Sequence, residues 1–467
     1  MKTFSLLILS IIFCNAIFSQ DYIANQWYFG ENCGVDFSTT PPTSLSGGQI
    51  TGLEGCATIG DSQGNLLFYS DGMNVYNANH DVMENGDNLT GHWSSAQSAL
   101  ILPVLFDRNS KLYYLFTLDD GGAEHLADGW RYSIIDMSEN GGLGAVTEDK
   151  NILIEEMMTE RQVAVPHSNQ QDIWLIGHRW ESNEFVAYLI SSQGISETPV
   201  VSAVGSVHEG GWSANPDYNG WVNAAGFIKA SLQWDKLAVS QHDAVIELFD
   251  FDNSTGIVSN PRTSVTFDRA FGIEFSPDGT KLYATYDIYA NAKLIQFDLS
   301  QEEPMSSYTT IQTSYSRLDA LQLGPNGKIY VAKEGDYYLG EISNPNGSGE
   351  DCDYISEGIY LGGNQCSYGL PYTYYYPGYP GFDNEQSTPM EIIPLSSVYP
   401  NPVKDNLTIT LEGKFSLEVY NINGQFIDRI ENLEDSFNLN VSDYSPATYL
   451  IKVNLDNKQV IKKFIKL

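Results

Sequence analysis

If this chain performs acid–base or metal chemistry, its histidine and carboxylate side chains would carry it out. The seven histidines lie far apart in the sequence and none belongs to an HExxH pattern, so we interpret each as a turn or packing residue. The 59 acidic residues offer many carboxylate pairs, but glycoside cleavage depends on a distance between two carboxyl groups that the sequence does not give. We therefore assign no catalytic residue from the sequence.

Metal binding finds equally little support. Asp250, Asp252, Asn253 and Thr255 form an oxygen-rich turn, yet the turn lacks the full spacing of a known calcium-binding motif. No CxxC pair is present, and no cysteine has a histidine at the spacing of a zinc site. We expect a solvated hairpin at this turn, and neither a metal nor a cofactor.

The cysteines are few. Once Cys14 is removed with a signal peptide, four remain, at positions 33, 56, 352 and 366. An even number in an exported chain permits disulfides, and four cysteines allow three connectivities. We prefer a disulfide between Cys352 and Cys366, which would close a short loop.

The amino terminus predicts export. Lys2 precedes an apolar run from Leu6 to Phe13, and small and polar residues follow up to Ser19. This order is typical of a cleavable signal peptide, which we assign to residues 1–19. The run is much shorter than the roughly 20 apolar residues that a transmembrane helix needs, and no later segment meets that length.

The net charge of the chain limits the classes of partner that it can bind. Its 24 basic and 59 acidic residues give a formal net charge of −35. Nucleic acids and anionic lipid surfaces attract proteins of the opposite sign, so we expect neither as a partner. Self-repulsion that keeps the exported chain in solution is the simplest interpretation.

Short apolar runs separated by polar turns predict an all-β fold. In Ile273 to Tyr286, two strands flank the turn Pro277-Asp278-Gly279, where aspartate and glycine suit a tight hairpin. Similar units recur every 45 to 65 residues or so, near the repeat length of four-stranded propeller blades. They begin at Ala57, Leu102, Val165, Ile228 and Leu321.

Two runs fall outside those six units, Gln26 to Ser38 and Tyr368 to Tyr376. If the late run supplies the inner strand and the early run the outer strands of one blade, the ring closes without an open end. We therefore predict a seven-bladed β-propeller of the YVTN or WD40 type over residues 20–376. The proline- and glycine-rich residues 377–397 read as a linker.

The repeat register predicts a binding surface. Polar residues at the start of each innermost strand would surround the mouth of the central channel, and convergent polar groups in a concavity are the usual sign of a ligand site. Alternatively, the two arginines pair with the acids and simply close the channel. The candidate residues are Glu54, Gln97, Arg161, Arg269, Asp319 and Gln365.

The last part of the chain alternates apolar and polar residues between Asn and Gly turns, which predicts a small β-sandwich over residues 398–467. Its motifs are Tyr399 to Pro402, Glu418 to Gln425, Tyr449 to Val453 and Lys462 to Lys466. With these motifs the segment resembles the C-terminal sorting domain of the type IX secretion system. Ala447 departs from the glycine common at this position in the family.

That resemblance implies passage through the inner membrane, then transport across the outer membrane of a Gram-negative bacterium by the type IX machinery, which would recognise residues 398–467. Removal of the domain would release the protein or attach it to the cell surface. The body resembles a family of exported propellers without an established activity, often found with gliding-motility-type C-terminal domains. The motifs that carry this second resemblance are Trp27 to Gly30, Leu53 to Ala57, Leu67 to Gly72, Tyr132 to Met137 and Gly369 to Pro371.

Three functions follow as hypotheses. A secreted or cell-surface propeller for binding or adhesion, with an extracellular glycan or protein as its ligand, comes first, because the chain shows no catalytic signature. An exported hydrolase or lyase acting on polysaccharide is the second. A structural component of a surface or gliding-motility assembly is the third.

Overall fold

The computed structural model describes residues 22–372, except 62, 105–110, 123–124, 170 and 288–290, and residues 397–467, except 422–425, 443 and 456–457. The predicted signal peptide lies outside these residues, and so does the predicted linker up to residue 396. The chain divides into two compact units, Met1–Asn384 and Glu385–Leu467. In the described part of the chain, no helix has the length and apolarity needed to span a bilayer.

The described residues of the first unit form seven sheets, numbered here along the chain. Sheet 1 contains β1 (Gln26–Phe29), β2 (Cys33–Asp36) and β3 (Thr43–Ser44). Sheet 2 contains β4 (Cys56–Gly60), β5 (Leu66–Ser70) and β6 (Val75–Asn77), and sheet 3 contains β7 (Ala99–Pro103), β8 (Leu112–Leu118), β9 (Trp130–Asp136), β10 (Ala145–Val146) and β11 (Ile152–Glu155). Sheet 4 contains β12 (Met158–Pro166), β13 (Ile173–Arg179), β14 (Ser182–Ser191), β15 (Gly194–Ile195) and β16 (Val200–His208).

The remaining three sheets have four strands each in sequential order. Sheet 5 contains β17 (Ile228–Ala230), β18 (Lys236–Ser240), β19 (Ile246–Asp252) and β20 (Ile257–Thr263). Sheet 6 contains β21 (Ala270–Phe275), β22 (Lys281–Asp287), β23 (Ala292–Asp298) and β24 (Thr309–Ser314), and sheet 7 contains β25 (Leu318–Leu323), β26 (Ile329–Lys333), β27 (Tyr338–Ile342) and β28 (Tyr354–Tyr360). Four short 3₁₀ helices cover Tyr22–Ala24, Asn140–Gly142, Val222–Ala224 and Gly349–Cys352.

The hairpin between β21 and β22 shows how the sequence makes these sheets. The Gly279 amide donates to the Ser276 carbonyl, and Gly279 adopts the positive φ of 70° that a residue without a side chain tolerates best. Asp278 Oδ1 accepts the Thr280 amide at 2.9 Å and fixes the turn. All residues of both flanking strands are buried, because neighbouring sheets cover both faces.

Ring closure differs from the sequence prediction. In the described part of the late run, β29 (Pro371–Tyr372) pairs in parallel with β4 of sheet 2, whereas β1 pairs with β2. The predicted pairing of Tyr368 to Tyr376 with Gln26 to Ser38 is therefore wrong for the described residues, and residues 373–376 lie outside them. The backbone explains the change, because the Tyr368 and Gly369 amides both donate to the Leu53 carbonyl just before β4.

One edge of the sheets carries the long connections between neighbouring sheets. In a four-stranded antiparallel meander, the loop between strands two and three lies at the same edge as the connection from strand four to the next sheet. We call the surface formed by these connections the loop face. Its main segments are 45–55, 78–98, 119–129, 209–227, 241–245, 264–269, 315–317, 334–337 and 361–370.

The preferred disulfide is not formed. All four described cysteines are free and buried. Cys352 packs with Tyr283 and its neighbours, whereas Cys366 packs in a separate hydrophobic cluster that also holds Cys33 and Cys56. Tertiary packing thus separates two residues that lie only a short loop apart in sequence.

The described residues of the second unit form a five-stranded antiparallel sheet. Its strands are β30 (Ser397–Tyr399), β31 (Asn406–Asn421), β32 (Phe426–Asn440), β33 (Ala447–Leu455) and β34 (Lys458–Lys466). Alternate residues of β31, such as Leu407 and Ile409, are buried together with Ile451. This alternation is the pattern of a sheet with one covered face, and the second layer of a sandwich stays a prediction.

Candidate binding cavity

The loop face of the first unit contains a cavity of about 790 Å³. This volume falls within the roughly 300–1,000 Å³ of small-molecule sites. Charged and aromatic side chains from successive sheets line it together. They include Glu54, Glu160, Trp212, Tyr218, Trp221, His242, Asp243, Asp268, Arg269, Phe271, Asp287 and Arg317.

The long loop 209–227 forms one wall. The Trp221 ring stacks between two partners, Trp180 at 5.5 Å and His125 at 4.7 Å between ring centroids. His125 Nε2 also lies 3.1 Å from the Asp217 carbonyl oxygen. These two stacking contacts fix the loop against the loop 119–129 of sheet 3, through His125, and against the turn between β13 and β14 of sheet 4, through Trp180.

Hydrogen bonds hold the outer part of the same loop. The Trp212 amide donates to Asp243 Oδ2 at 3.0 Å, and Asn223 Nδ2 donates to the Glu209 carbonyl at 2.8 Å. The Trp212 side chain nevertheless remains 68% exposed. A large ring is therefore presented to solvent on a backbone that is fixed in place.

Two carboxyl groups lie at the floor of the cavity. The Glu160 oxygens accept the Ala96 amide at 2.8 Å and the Gly121 amide at 2.9 Å, and burial raises the Glu160 pKa to about 8, with nearby Asp120 adding to the shift. Burial also raises the pKa of Glu54, and the Glu160 charge adds to this. Glu54 Oε2 is shielded from solvent and has no hydrogen-bond partner among the described residues.

The opposite wall carries both signs of charge. The Arg269 side chain is 48% exposed, and its guanidinium lies 3.9 Å from Asp287 Oδ2. Arg317 Nε lies 2.8 Å from Asp319 Oδ1. Burial raises the Asp319 pKa to about 7, although the Arg317 charge opposes the shift. The wall thus offers one accessible guanidinium beside carboxylates that can accept hydrogen bonds.

Arg161 does not reach this cavity. Its fully buried guanidinium donates to four backbone carbonyls, at Asn223, Ala224, Ala225 and Ser240. Gly226 permits the approach, because a side chain there would clash with the Ser240 carbonyl and the guanidinium. Arg161 is a structural residue that fastens the loop 209–227.

Gln97 and Asp319 are also buried. Gln97 Nε2 donates to the Gln162 and Ile228 carbonyls, and its Oε1 accepts the Ile228 amide at 2.8 Å. These bonds join the inner strands of sheets 4 and 5. Neither predicted arginine pairs with the acid expected for it, because Arg161 bonds to carbonyls and Arg269 lies beside Asp287.

Gln365 lies in a second, smaller concavity of about 550 Å³ on the same face. Its Nε2 donates to the Gly335 carbonyl at 2.6 Å. Tyr337, Tyr368 and Glu334 line this concavity with it. Of the six predicted residues, Glu54 and Arg269 therefore line the larger cavity, and Gln365 lines the smaller one.

Several lining residues were absent from the sequence prediction. Glu160 directly precedes Arg161, so the repeat register also places it at the start of an inner strand. Arg317 lies two residues before Asp319 and could have been found in the same way. Trp212 lies inside a long connection that no repeat unit covers, so only the folded loop reveals it.

Two further sequence patterns lie at turns between neighbouring strands. Gly60 to Gly64 fits a GxSxG spacing but lies at the turn between β4 and β5, not at a strand-to-helix elbow, and Ser62 lies outside the described residues. At the oxygen-rich turn, Asp250 pairs with Arg262 at 2.7 Å and Asp252 accepts the Ser254 hydroxyl. Within the described ranges, no cluster of three or more metal-ligating side chains occurs.

Comparison with known families identifies the second unit. Residues 397–467 match the model of the secretion system C-terminal sorting domain. The chain therefore carries a type IX sorting domain, as its motifs predicted, and such a domain directs export to the cell surface or the medium through the type IX machinery. No characterised protein sequence matches the chain.

Solved structures of low similarity were also found. PorZ, a surface component of the type IX secretion system of Porphyromonas gingivalis, is 12% identical, with a TM-score of 0.31 over 94% of this chain and 70% of PorZ. A Lactobacillus plantarum protein is 10% identical, with a TM-score of 0.35 over 80% of this chain and 95% of its own. Regucalcin, a calcium-binding protein from Agrobacterium tumefaciens, is 12% identical, with a TM-score of 0.31 over 67% of this chain and 81% of its own. We transfer no function from these likenesses.

Proposed function

We propose that this chain is an exported, non-catalytic binding protein, whose first unit is a seven-bladed propeller that holds an extracellular ligand on its loop face. One observation carries the proposal. Loops from successive sheets converge on a cavity that combines an accessible guanidinium, carboxylates and an exposed indole. Such convergence of polar groups and rings is what ligand sites share. On the cell surface, a binding face of this kind would serve adhesion.

The seven-bladed arrangement is supported by the order of the sheets. Inner strands of neighbouring sheets lie in contact, including β4 with β7, β12 with β17, β17 with β21 and β21 with β25. Sheet 1 contributes β1 beside β4 and β3 beside β28, which places it between sheets 7 and 2. A ring of this kind leaves only short, protected strand edges.

Cleavage of a polysaccharide is the second candidate, favoured by the raised pKa of Glu160. A carboxylic acid that stays protonated near neutral pH can donate a proton to a leaving group. However, both Glu160 oxygens already accept backbone amides, which makes proton delivery unfavourable. Release of reducing ends from a polysaccharide panel, lost in Glu160→Gln, would establish this second candidate in place of the first.

Binding is tested with the purified chain on a combined saccharide and peptide array, followed by calorimetry of any hit. We expect Arg269→Ala to weaken binding by about tenfold while the melting temperature stays within about 2 °C. If this variant bound as tightly as the parent chain, the cavity would not be the binding site.

Export is tested separately by deleting residues 397–467. The truncated chain should accumulate in the periplasm, because the predicted signal peptide directs only passage across the inner membrane. Normal delivery of the truncated chain to the surface or medium would contradict this part of the proposal.

A further inference from the structure

We propose that the ligand is an uncharged oligosaccharide chain that spans both concavities of the loop face. This inference rests on the proposed binding function and names its ligand class. The evidence is the distribution of exposed rings, the junction between the two concavities and the mixture of charges around them.

Exposed aromatic rings are concentrated on the loop face. Among the described residues of the first unit, six aromatic side chains are more than one-third exposed, and only Tyr308 lies away from this face. Rings normally pack inside a protein, because burial of their large apolar area is favourable. Five rings exposed at one edge therefore indicate a surface that a ligand covers. These five are Trp93, Trp212, Tyr315, Tyr337 and Tyr360.

The two concavities adjoin each other. The Arg317 guanidinium, which lines the larger one, lies 4.3 Å from the ring centroid of Tyr368, which lines the smaller one. Leu53 lines the smaller concavity and the following residue, Glu54, lines the larger. A ligand that fills both must be elongated, and Arg317 and Tyr368 form the boundary that it crosses.

The charges on the two concavities disfavour an anionic ligand. The larger cavity has five acids and two arginines in its lining, and the whole chain has a net charge of −35, so a polyanion would be repelled. The same charge would attract a cation, but a cationic ligand that spans both concavities would contact the Arg269 guanidinium in the larger cavity and the Arg317 guanidinium at the junction. Carboxylates and guanidinium groups both form hydrogen bonds with neutral hydroxyl groups.

An uncharged saccharide combines the features that remain. The apolar C–H face of a pyranose ring packs on an aromatic ring, and its hydroxyl edge accepts and donates hydrogen bonds. Trp212 offers the ring, and Asp243, Asp268 and Arg269 offer the polar partners close by.

The test is calorimetric titration of the full chain with neutral oligosaccharide series, from disaccharide to octasaccharide, built from glucose, mannose and N-acetylglucosamine. For one series, affinity should rise by about tenfold or more with length and then level off. Trp212→Ala should lower the affinity for every length by about tenfold, whereas Tyr337→Ala should weaken only the longer chains. Ile257→Ala, which removes an apolar side chain that is 47% exposed at the opposite edge, is the matched control and should bind unchanged.

Equal affinity for the disaccharide and the octasaccharide would overturn the spanning of both concavities. Binding only of peptides, amines or charged polysaccharides, lost in Trp212→Ala, would overturn the ligand class and leave the binding function intact. Failure of every compound class to bind a correctly melting protein would reject the proposed function itself. Melting curves of each variant separate these results from loss of folding.

Discussion

Arg161 and Arg269 occupy comparable places in the fold, since each stands near the start of an innermost strand. Arg161 is completely buried and bonds to four carbonyls, while Arg269 is nearly half exposed in the cavity. The loop 209–227 makes the difference at Arg161, because its carbonyls at Asn223, Ala224 and Ala225 accept hydrogen bonds from that guanidinium, whereas Arg269 lies beside Asp287. A shared register therefore places two side chains alike, and the neighbouring loop decides whether a side chain is a buried structural group or lines the cavity.

The largest effect in this comparison should come from Arg161→Ala. The variant leaves four buried carbonyls without their donor, so we expect the free energy of unfolding to fall by about 3–5 kcal/mol. Urea denaturation measures this loss. Arg161→Lys should recover part of it, because one ammonium group cannot reach all four carbonyls. A loss below about 1 kcal/mol in Arg161→Ala would show that the loop is held by other contacts.

A pH-dependent effect should come from the buried histidine pair beside Arg161. The His178 and His208 rings stack at 3.5 Å, and burial lowers the pKa of His178 to about 3 and that of His208 as well, with the Arg161 charge adding to both shifts. Neutral histidine is thus required in the folded state. Their contribution to stability is present above pH 6.5 and is lost as the pH falls toward 3, by up to about 1.4 kcal/mol per pH unit for each histidine.

His208→Phe keeps a stacking ring and removes one of the two titrating groups. Unfolding free energies between pH 7 and pH 4 should therefore fall less steeply in this variant than in the parent chain. Identical slopes for the two proteins would mean that the histidine pair does not titrate with folding.

The buried carboxyl group of Glu160, which lines the cavity, predicts the opposite pH dependence. The folded-state pKa of Glu160 is raised from 4.5 to about 8, so its contribution to stability is present below pH 4.5 and is lost as the pH rises through 8. Glu160→Gln cannot ionise, and its stability relative to the parent chain should improve as the pH rises from 5 to 8, by up to about 1.4 kcal/mol per pH unit. A constant difference across this range would refute the raised pKa.

The smallest effect on stability should come from Arg269→Ala. An exposed guanidinium 3.9 Å from a carboxylate contributes little, so the free energy of unfolding should change by no more than about 0.5 kcal/mol. Set beside Arg161→Ala in the same denaturation experiment, this variant measures the difference between the two arginines directly. Comparable losses in both variants would show that Arg269 is a second structural arginine.

Part of the candidate site could be predicted from the sequence, because the register of the repeats shows which residues lie at the start of each inner strand. Glu54 and Arg269 line the cavity, as their predicted positions at the starts of inner strands suggested. Gln97 and Arg161 instead form buried hydrogen bonds that connect sheets and loops. Trp212 could not be found in this way. It lies in a connection without periodicity, and its position is held by a hydrogen bond from its amide to Asp243, which joins distant parts of the chain.

By itself, the sequence determined the all-β class, the positions of the hairpins and the sorting domain, because alternation, turn chemistry and short motifs are local properties. Only the tertiary structure decided that β29 closes onto β4, that Cys352 and Cys366 pack apart, and which polar side chains meet water. These outcomes depend on contacts between residues far apart in the chain. Burial and hydrogen bonding fix them only once neighbouring sheets and the long loop 209–227 are packed in place.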